Sequence, residues 1–463
     1  MERLKDDKKA LNPIIILLGI LLLAMGLSYV LDSGEFERNG RLVVPGSYQV
    51  LEKDVSLKAL FDTGVEAEIH SAKPVSLSGV LLSIPEGLER GSGLIFMVLI
   101  IGGMFGVLRD SGTIDAGLER LLGLVKGNVY VLVVLLMTVF SAGSSFLGLA
   151  SEYLLVIPLM VAMAKRLGLS PIIGFAIVTI SVKAGYLASV TNPLPLTIAQ
   201  PLVNLPIFSG ALVRFYFYLV FLTLGIGFLC YVIRGHARST NVDLGFSGSA
   251  LSIRHLSMLL ILLGGIGGLV FASTQWGWKH QSLSAYYIAL SLILAACSGL
   301  GLNGSADAFV AGMKKVLLAS FLIGVASAVA ITLEKGKILD SVVHSLVLII
   351  GQDNPGISAL GMFFCQLLLD FLIPSTSGQA AVSMPIMGPI GQLSGVSPQT
   401  TVVAFLFGNG ITNMLTPTSG TLLAYLATAE VSWSSWARFI LPLWAIYIVT
   451  AMALLLLCVQ LGY

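Results

Sequence analysis

The chain carries one short pattern twice, and this duplication constrains its fold more strongly than any other feature. Residues 152–158 correspond to residues 379–385, and the Gly-Leu-Ser-Pro at 168–171 corresponds to the Gly-Val-Ser-Pro at 395–398. Both pairs lie 227 residues apart (385 − 158 and 398 − 171). Apolar segments interrupted by glycine and proline at matching positions of two halves are typical of secondary transporters, and they indicate where such proteins bind their substrate.

The composition places the chain in a membrane. Hydrophobic residues make up 56% of its 463 residues, charged residues only 11%, and the mean hydropathy is +0.93. So few charges cannot cover a soluble surface, and the apolar runs are long enough to span a bilayer. The net charge of +2 gives no sign of a nucleic-acid partner. The four cysteines and five histidines show no disulfide or metal-ligand spacing.

The apolar runs predict an all-α polytopic membrane protein with about nine transmembrane helices and two re-entrant hairpins. The helices are expected near residues 12–31, 94–108, 171 onward, 215–233, 256–272, 285–300, 316–333, 398 onward and 439–459. The hairpins are expected at 129–140 with 153–164, and at 358–373 with 380–390. Arms of about 12 residues reach only ~18 Å and cannot cross a ~30 Å core. An odd number of crossings between the hairpins predicts an inverted-repeat ion-transporter fold.

The basic residues predict the orientation, because cytoplasmic loops are enriched in lysine and arginine. A cytoplasmic N-terminus places the polar stretch 32–84 outside and Lys165, Arg238 and Lys314 inside. The charged run at 334–337 falls outside and fits this rule badly. The expected segments are 1–91 (first helix and external stretch), 92–233 (repeat one), 234–313 (cytoplasmic loop and scaffold helices) and 314–463 (repeat two).

Hydroxyl and amide side chains concentrate at the predicted hairpin tips and helix breaks. Unwound backbone is tolerated inside a membrane only where it lines an enclosed cavity, and there it can coordinate cations or meet anions. The alternative is that small polar residues only let helices pack closely. The candidate substrate-binding residues of this kind are Ser144, Ser145, Thr191, Asn192, Ser375, Thr376, Ser377, Asn413, Thr416, Thr418 and Ser419. A Na⁺ site is considered near Gly143, Asn192, Ser377 and Asn413.

Three ionisable residues are expected at membrane depth, and each is a functional hypothesis because such residues are costly there. Glu152 begins the second arm of hairpin one, Asp370 precedes the tip of hairpin two, and Lys183 lies beside the break of the third helix. We expect them to meet, with Glu152 and Asp370 as coupling residues and Glu152 and Lys183 as substrate ligands. A buried ion pair or a charge facing a wet cavity is the alternative for Lys183 and Asp370.

Several motifs resemble the YfcC family. They are VPGSY (44–48), IGGMFG (101–106), GTIDAG (112–117), TNP (191–193), IAQ (198–200), PSTSGQAA (374–381), MPIM (384–387), FGNGITN (407–413) and TPTSG (416–420). That family is grouped with DcuC-type and ArcD-type carriers and is distantly related to AbgT transporters. The resemblance implies an elevator-type carrier of the cell inner membrane, usually a homodimer, without a resident cofactor but with Na⁺ or H⁺ coupling.

The resemblance also assigns positions. It implies that substrate and ions are held at residues 144–152, 191–193, 375–379 and 409–419, which adds Gln379 and Asn409 to the candidates. The chain departs from the family pattern at two places: Ser151-Glu152 replaces two adjacent acids, and Lys183 replaces a small residue. A lysine beside the break could replace a coupling cation or contact a substrate carboxylate.

The predicted function is secondary active transport of a small amino-acid-like metabolite, with basic amino acid antiport as the first choice. Glu152 and Asp370 could serve a cationic side chain, while helix N-termini and Lys183 could hold the α-carboxylate. Four-carbon dicarboxylate transport coupled to Na⁺ or H⁺ is the alternative. An intramembrane enzyme is disfavoured because the chain has no HExxH or GxSxG motif.

Overall fold

The structure, a computed structural model, is almost entirely helical. It describes residues 13–39, 42–53, 55–56, 58–62, 71–124, 128–237, 252–278, 280–348, 350 and 354–463. Arg238, which the sequence places in the cytoplasm, lies outside these residues. The first helices are α1 (Pro13–Val30), α2 (Leu77–Asp110), α3 (Thr113–Leu124), α4 (Val129–Leu147), α5 (Ile157–Arg166), α6 (Pro171–Ala188), α7 (Pro193–Leu202) and α8 (Ala211–Ala237). The later ones are α9 (Ile253–Trp276), α10 (His280–Cys297), α11 (Gly301–Lys335), α12 (Leu339–Leu348), α13 (Pro355–Leu372), α14 (Thr376–Leu393), α15 (Pro398–Thr412), α16 (Gly420–Ala429) and α17 (Trp433–Leu461).

The order of helices is duplicated in the same way as the sequence pattern. Helices α2 to α8 correspond one by one to α11 to α17, and both α6/α15 and α7/α16 begin 227 residues apart (398 − 171 and 420 − 193). In each half the first hairpin arm packs against the broken helix, α4 against α6 and α13 against α15. The predicted all-α membrane fold is confirmed, and the inverted orientation of the repeats stays a prediction.

Eight helical segments in the described part of the chain are long and apolar enough to cross a membrane. Two of them, α4 with 19 residues and α13 with 18, were predicted to be hairpin arms. The prediction that the arms of hairpin one have about 12 residues is wrong for α4, which continues through Ser141, Ser144 and Ser145. Their hydroxyls all bond to backbone groups, and α4 ends at Leu147 with Gly148, whose φ is +74°, as its C-cap.

Both breaks form where the sequence predicts them. Helix α6 ends at Ala188 and α7 begins at Pro193, because proline lacks the N–H that a continuous helix needs. In the second repeat α15 ends at Thr412 and α16 begins at Gly420. The side chains of Asn192 and Ser419 cap the second halves by accepting hydrogen bonds from Leu194 N (2.9 Å) and Leu422 N (3.2 Å).

The second and seventh predicted helices are too short, because α2 and α11 each extend well beyond the apolar run. Charges interrupt these extensions, yet they pair between the two helices: Arg90 with Glu334 at 2.8 Å and Lys335 with Glu86 at 2.6 Å. These pairs also explain the charged run at 334–337, since opposite charges lie beside it. The predicted segment boundaries at 91/92, 233/234 and 313/314 lie within α2, α8 and α11, and the division into segments stays a prediction.

Helices α2 and α11 cross backbone against backbone. A Cβ added to Gly106 would lie 2.1 Å from Ala308 O, and one added to Gly312 would lie 2.2 Å from Gly102 O. At the other end of the same contact, a Cβ on Gly87 would lie 2.3 Å from Gly324 O. Only glycine permits this approach, so the antiparallel pair forms a long, closely packed spine that joins the two repeats.

The polar segment between α1 and α2 contains short strands that the sequence analysis does not predict. They are β1 (Gly34–Glu35), β2 (Arg38–Asn39), β3 (Leu42–Val43), β4 (Gln49–Val50), β5 (Glu52–Lys53) and β6 (Ser71–Ala72), which pair as β1–β4, β2–β3 and β5–β6. This segment is tied to the start of α12, where Arg38 pairs with Asp340 at 2.7 Å and Lys337 with Glu35 at 2.8 Å. It covers one end of repeat two.

Candidate functional site

A cavity of about 340 Å³ lies between the two repeats. We name its walls by chain segment: tip one (141–151), break one (189–192), tip two (374–378) and break two (413–419). Its lining residues are Leu94, Ser144, Gly148, Leu149, Ala150, Val182, Lys183, Tyr186, Asn192, Leu194, His280, Pro374, Ser375, Thr376, Asn409, Asn413, Gly420, Thr421 and Tyr425. The structure therefore brings both tips and both breaks to one place, as the duplicated pattern predicts.

Four helices in the described part of the chain begin at this cavity, and one of them is α10, which starts at His280. The N-cap residues of α7 and α14, Asn192 and Ser375, line it, as does Gly420, the first residue of α16. The partial positive charge and free N–H groups at a helix N-terminus favour an anionic group. This end-on arrangement suits a carboxylate in the cavity.

Lys183 and Asp370 both lie next to Asn413 beside the cavity. Lys183 is only 7% exposed, and its Nζ donates to Oδ1 of Asn413 at 2.6 Å. The fully buried carboxylate of Asp370 interacts electrostatically with this ammonium group. Buried charges are costly without compensation, and two of the three predicted ionisable residues share Asn413 as a polar neighbour.

Asn409 is the centre of a hydrogen-bond network between four helices. Its Nδ2 donates to Asp370 Oδ1 and to Gln379 Oε1, both at 2.7 Å, and its Oδ1 accepts from the hydroxyl of Tyr186 at 2.5 Å. Thr376 lies 2.9 Å from the same tyrosine hydroxyl. The network thus ties tip two to the broken helices of both repeats.

One carboxylate oxygen of Asp370 lacks a regular hydrogen-bond donor among the described residues. The Asn413 side chain interacts with this carboxylate, yet Oδ2 is buried and accepts no hydrogen bond of normal geometry from the part of the chain that the structure describes. Buried polar atoms are rarely left in this state without a functional reason. Oδ2 is therefore a candidate acceptor for a substrate or a proton.

Hydrogen bonds join tip one to break one. The hydroxyl of Ser145 accepts from Val190 N at 3.2 Å, the carbonyl of Ser145 accepts from Thr191 N at 3.1 Å, and Thr191 Oγ1 donates to Phe146 O at 3.0 Å. Ser144 Oγ donates to Val182 O at 2.8 Å. Ser145 and Thr191 thus support the cavity wall without lining the cavity, whereas Ser144 also lines it.

Glu152 lies on the tip-one side of the cavity in a 3-10 helix, Ser151–Leu155. Its Oε2 accepts from Ala150 N at 2.8 Å, and Ala150 O accepts from the hydroxyl of Tyr425 at 2.5 Å. Its carboxylate also interacts electrostatically with Tyr287, Tyr425 and His280. These interactions place Glu152 in a second polar cluster beside the cavity.

The remaining predicted residues lie behind the lining or at its edge. Thr416 and Thr418 bond to each other at 2.7 Å, and Thr418 also bonds to Phe371 O. Ser419 donates to Asn413 Oδ1 at 3.1 Å, while Ser377 is exposed. Gly143 lies within α4, where a Cβ would come within 2.2 Å of the Tyr153 hydroxyl oxygen.

Sequence reasoning missed several residues that contribute to the site. Tyr186 lies one turn after Lys183 on α6, and this spacing was the available signal. His280 begins α10 and lines the cavity, although no motif surrounds it. Arg214 is fully buried near the start of α8, where the sequence suggests only a basic residue flanking a helix.

Known protein sequences match this chain along most of its length. The family model described as C4-dicarboxylate anaerobic carrier, DcuC, matches residues 12–460. The YfcC protein of Escherichia coli, named a putative basic amino acid antiporter, is 27% identical over 439 residues, covering 86% of this chain and 84% of YfcC. An uncharacterised protein of Haemophilus influenzae is 23% identical over 480 residues, covering 92% of each chain.

Two solved structures are also similar. The YdaH transporter of Alcanivorax borkumensis is 16% identical with a TM-score of 0.41, covering 97% of this chain and 99% of YdaH. MtrF of Neisseria gonorrhoeae, described as an antimetabolite efflux pump, is 16% identical with a TM-score of 0.42, covering 97% and 95%. The matching family consists of carriers rather than enzymes, and its model spans nearly the whole chain. The protein is therefore a multi-pass membrane transporter that belongs to the DcuC family.

Proposed function

We propose that the protein is a secondary active, elevator-type transporter of small amino-acid-like metabolites, with basic amino acid antiport as its first candidate activity. The observation that carries this proposal is the cavity of about 340 Å³ in which both tips, both breaks and the N-termini of α7, α14 and α16 meet. A cavity of this size, lined by a few convergent polar groups, suits a small metabolite. The name of the YfcC relative supports the choice of a basic amino acid.

In this proposal the two ends of an amino acid bind to different groups. The carboxylate meets the N-termini of α7 and α14 and the ammonium group of Lys183. The cationic groups turn toward the carboxylates of Asp370, through its unbonded Oδ2, and of Glu152. Asp370 and Glu152 are also the proposed coupling residues, since both are buried beside the cavity.

Transport of a four-carbon dicarboxylate is the second candidate, and one observation favours it. Among the described residues that line the cavity, Lys183 is the only lysine, arginine, aspartate or glutamate. Asp370 and Glu152 lie behind the lining, so a doubly negative substrate would meet mainly positive potential. The description of the family model agrees with this alternative.

Cavities on either side support alternating access, and we propose in addition that the carrier is a homodimer of the cell inner membrane. Tip two separates the central cavity from one of about 400 Å³ on the proposed outer side, and Ser375 lines both. A third cavity, of about 460 Å³, is lined by Arg109, Lys165 and Lys315 on the proposed cytoplasmic side. Movement of the hairpins and broken helices would connect the central cavity to each side in turn.

Counterflow in proteoliposomes tests the proposal. Liposomes loaded with arginine, lysine, ornithine, a neutral amino acid, succinate or fumarate would be assayed for uptake of the same compounds in radiolabelled form. We expect exchange among basic amino acids, lost in Asp370→Asn and retained in the matched control Asp110→Asn, whose carboxylate is exposed beside Arg109. Exchange of dicarboxylates only, lost in Lys183→Met, would establish the second candidate. No exchange of any compound would contradict both.

A further inference from the structure

Break one frees backbone carbonyls inside the protein. Ser189 adopts a left-handed conformation with φ of +42°, which is strained for a residue with a side chain, and the helix resumes only at Pro193. The carbonyls of Ser189 and Val190 therefore have no partner within a helix. Such carbonyls are the usual ligands of a coupling cation in transporters with broken helices, which is why a Na⁺ site was expected here.

Arg214 already occupies this position. Its side chain is fully buried, and all three guanidinium nitrogens donate to carbonyls: Nε to Ser189 O and Nη2 to Val190 O at 3.1 Å each, and Nη1 to Ser209 O at 2.6 Å. No carboxylate forms an ion pair with Arg214 in the described ranges, where Tyr463 is the other polar neighbour. A positive charge surrounded by neutral carbonyl oxygens has the environment of a bound alkali cation.

Break two is satisfied differently. The carbonyls of Ile411, Met414 and Leu415 accept hydrogen bonds from the indoles of Trp444, Trp436 and Trp433, at 3.0, 2.9 and 2.8 Å. The last helix of each repeat therefore supplies the donors, α8 in repeat one and α17 in repeat two. The donors of repeat two are neutral. Only in repeat one does the donor bring a charge to the carbonyls themselves.

The bonds of Arg214 continue into tip one. The carbonyl of Ser189 and the N–H of Val190 belong to one peptide group, and this N–H donates to the Ser145 hydroxyl. The carbonyl of Val190 and the N–H of Thr191 form the next peptide group, and that N–H donates to the Ser145 carbonyl. Hydrogen bonds in such a chain polarise one another. Loss of the guanidinium group would therefore loosen both the strained break and the tip that lines the cavity.

We infer that Arg214 is a fixed cation that replaces a coupling ion in repeat one. It acts as a positioning residue: it holds break one and tip one in the geometry that binds substrate, and this repeat binds no Na⁺. The Na⁺ site considered near Gly143 and Asn192 does not fit, because the carbonyls that would complete it are bonded to Arg214. The uptake measurements rest on the proposed transport function, whereas the measurements of melting temperature do not.

The experiment is chemical rescue of Arg214→Ala, which leaves the three carbonyls around an empty space. The purified variant would be heated in detergent with and without about 10 mM guanidinium, methylguanidinium or NaCl, since a ligand that binds only the folded state raises the melting temperature. We expect a lower melting temperature than that of the wild type, restored by at least one of these cations, while the wild type does not respond. Uptake should fall about tenfold and recover with the same cation. Arg214→Lys, which keeps the charge, should retain part of the activity without any added cation.

Two control variants sharpen the result. Arg438→Ala removes an exposed arginine that donates a long hydrogen bond to Ser434 O at 3.4 Å, and Trp444→Phe removes one neutral donor at break two. Neither should gain a response to guanidinium or Na⁺. The inference is overturned if Arg214→Ala has wild-type stability and uptake without added cation. It is equally overturned if no cation raises the melting temperature of Arg214→Ala, whatever the uptake assay shows. Should wild-type protein fail to transport any compound, the thermal measurement still decides the role of Arg214.

Discussion

Replacement of Asn409 gives the sharpest test of the hydrogen-bond network at tip two. Asn409→Ala removes the bonds to Gln379 and Tyr186 and the donor to the buried carboxylate of Asp370. Interhelical hydrogen bonds in membrane proteins contribute about 0.6 kcal/mol each. A bond to a charged group contributes about 2 kcal/mol. The variant should therefore be less stable by about 3 kcal/mol and should lose transport, because Thr376 of tip two loses its anchor.

A charge exchange distinguishes this network from simple packing. Asn409→Asp places a second carboxylate oxygen at the 2.7 Å contact with Asp370, so it should destabilise the protein more than Asn409→Ala does. Adding Asp370→Asn restores one amide and one carboxylate across the same contact, and most of the lost stability should return. A double-mutant cycle measured by thermal unfolding in detergent gives the coupling energy.

The matched control lies one turn further along α15. Thr412→Val removes a single bond, from Oγ1 to Leu367 O at 2.7 Å, and should cost about 0.6 kcal/mol. The reasoning is refuted if Asn409→Ala costs no more than this control. It is also refuted if the double variant is as unstable as Asn409→Asp alone.

Three further predictions concern the charge pair, the helix spine and the orientation. Lys183→Met leaves the Asp370 carboxylate without its cation, so uptake should stop or become dependent on Na⁺, and unchanged rates across a Na⁺ and pH series would assign Lys183 a packing role. Gly312→Val forces α11 away from α2 and should lower the melting temperature sharply, whereas Gly227→Val, which meets no atom within 4 Å, should not. Cysteines introduced at Lys165 and Ser47 should react with impermeant reagents from the cytoplasm and from outside, respectively, and labelling of both from one side would contradict the proposed orientation.

The elements that the sequence predicts well are those that depend on local chemistry. The breaks follow from Pro193 in repeat one and from Gly410 and Pro417 in repeat two, and proline acts on its own helix. The extensions of α2 and α11 were missed because Glu86 and Glu334 look like loop residues until their partners on the other helix are known. The end of α4 was missed because serine hydroxyls bond to distant partners that no local pattern reveals.

The sequence predicts which segments form the candidate site but not which of their side chains bond to one another. Lys183 and Asp370 stood out because charges inside a membrane are rare, and the structure places both beside Asn413. The duplicated pattern also predicted that the tips and breaks lie near one another, and residues of all four segments line the cavity. Which residues line the cavity and which support it depends on the packing of separate helices, so the roles of Tyr186, Asn409 and Arg214 required the structure.

The indole bonds at break two give the protein a spectroscopic reporter of its own. Three of its five tryptophans, Trp433, Trp436 and Trp444, donate to carbonyls of break two or the last turn before it. The other two, Trp276 and Trp278, pack against each other at the end of α9, with ring centroids 5.4 Å apart. Because indole emission depends on hydrogen bonding and local polarity, substrate that disturbs Asn413 should change the intrinsic fluorescence. A substrate-dependent change that disappears in Trp436→Phe and persists in Trp276→Phe would follow occupancy of the cavity without any attached dye.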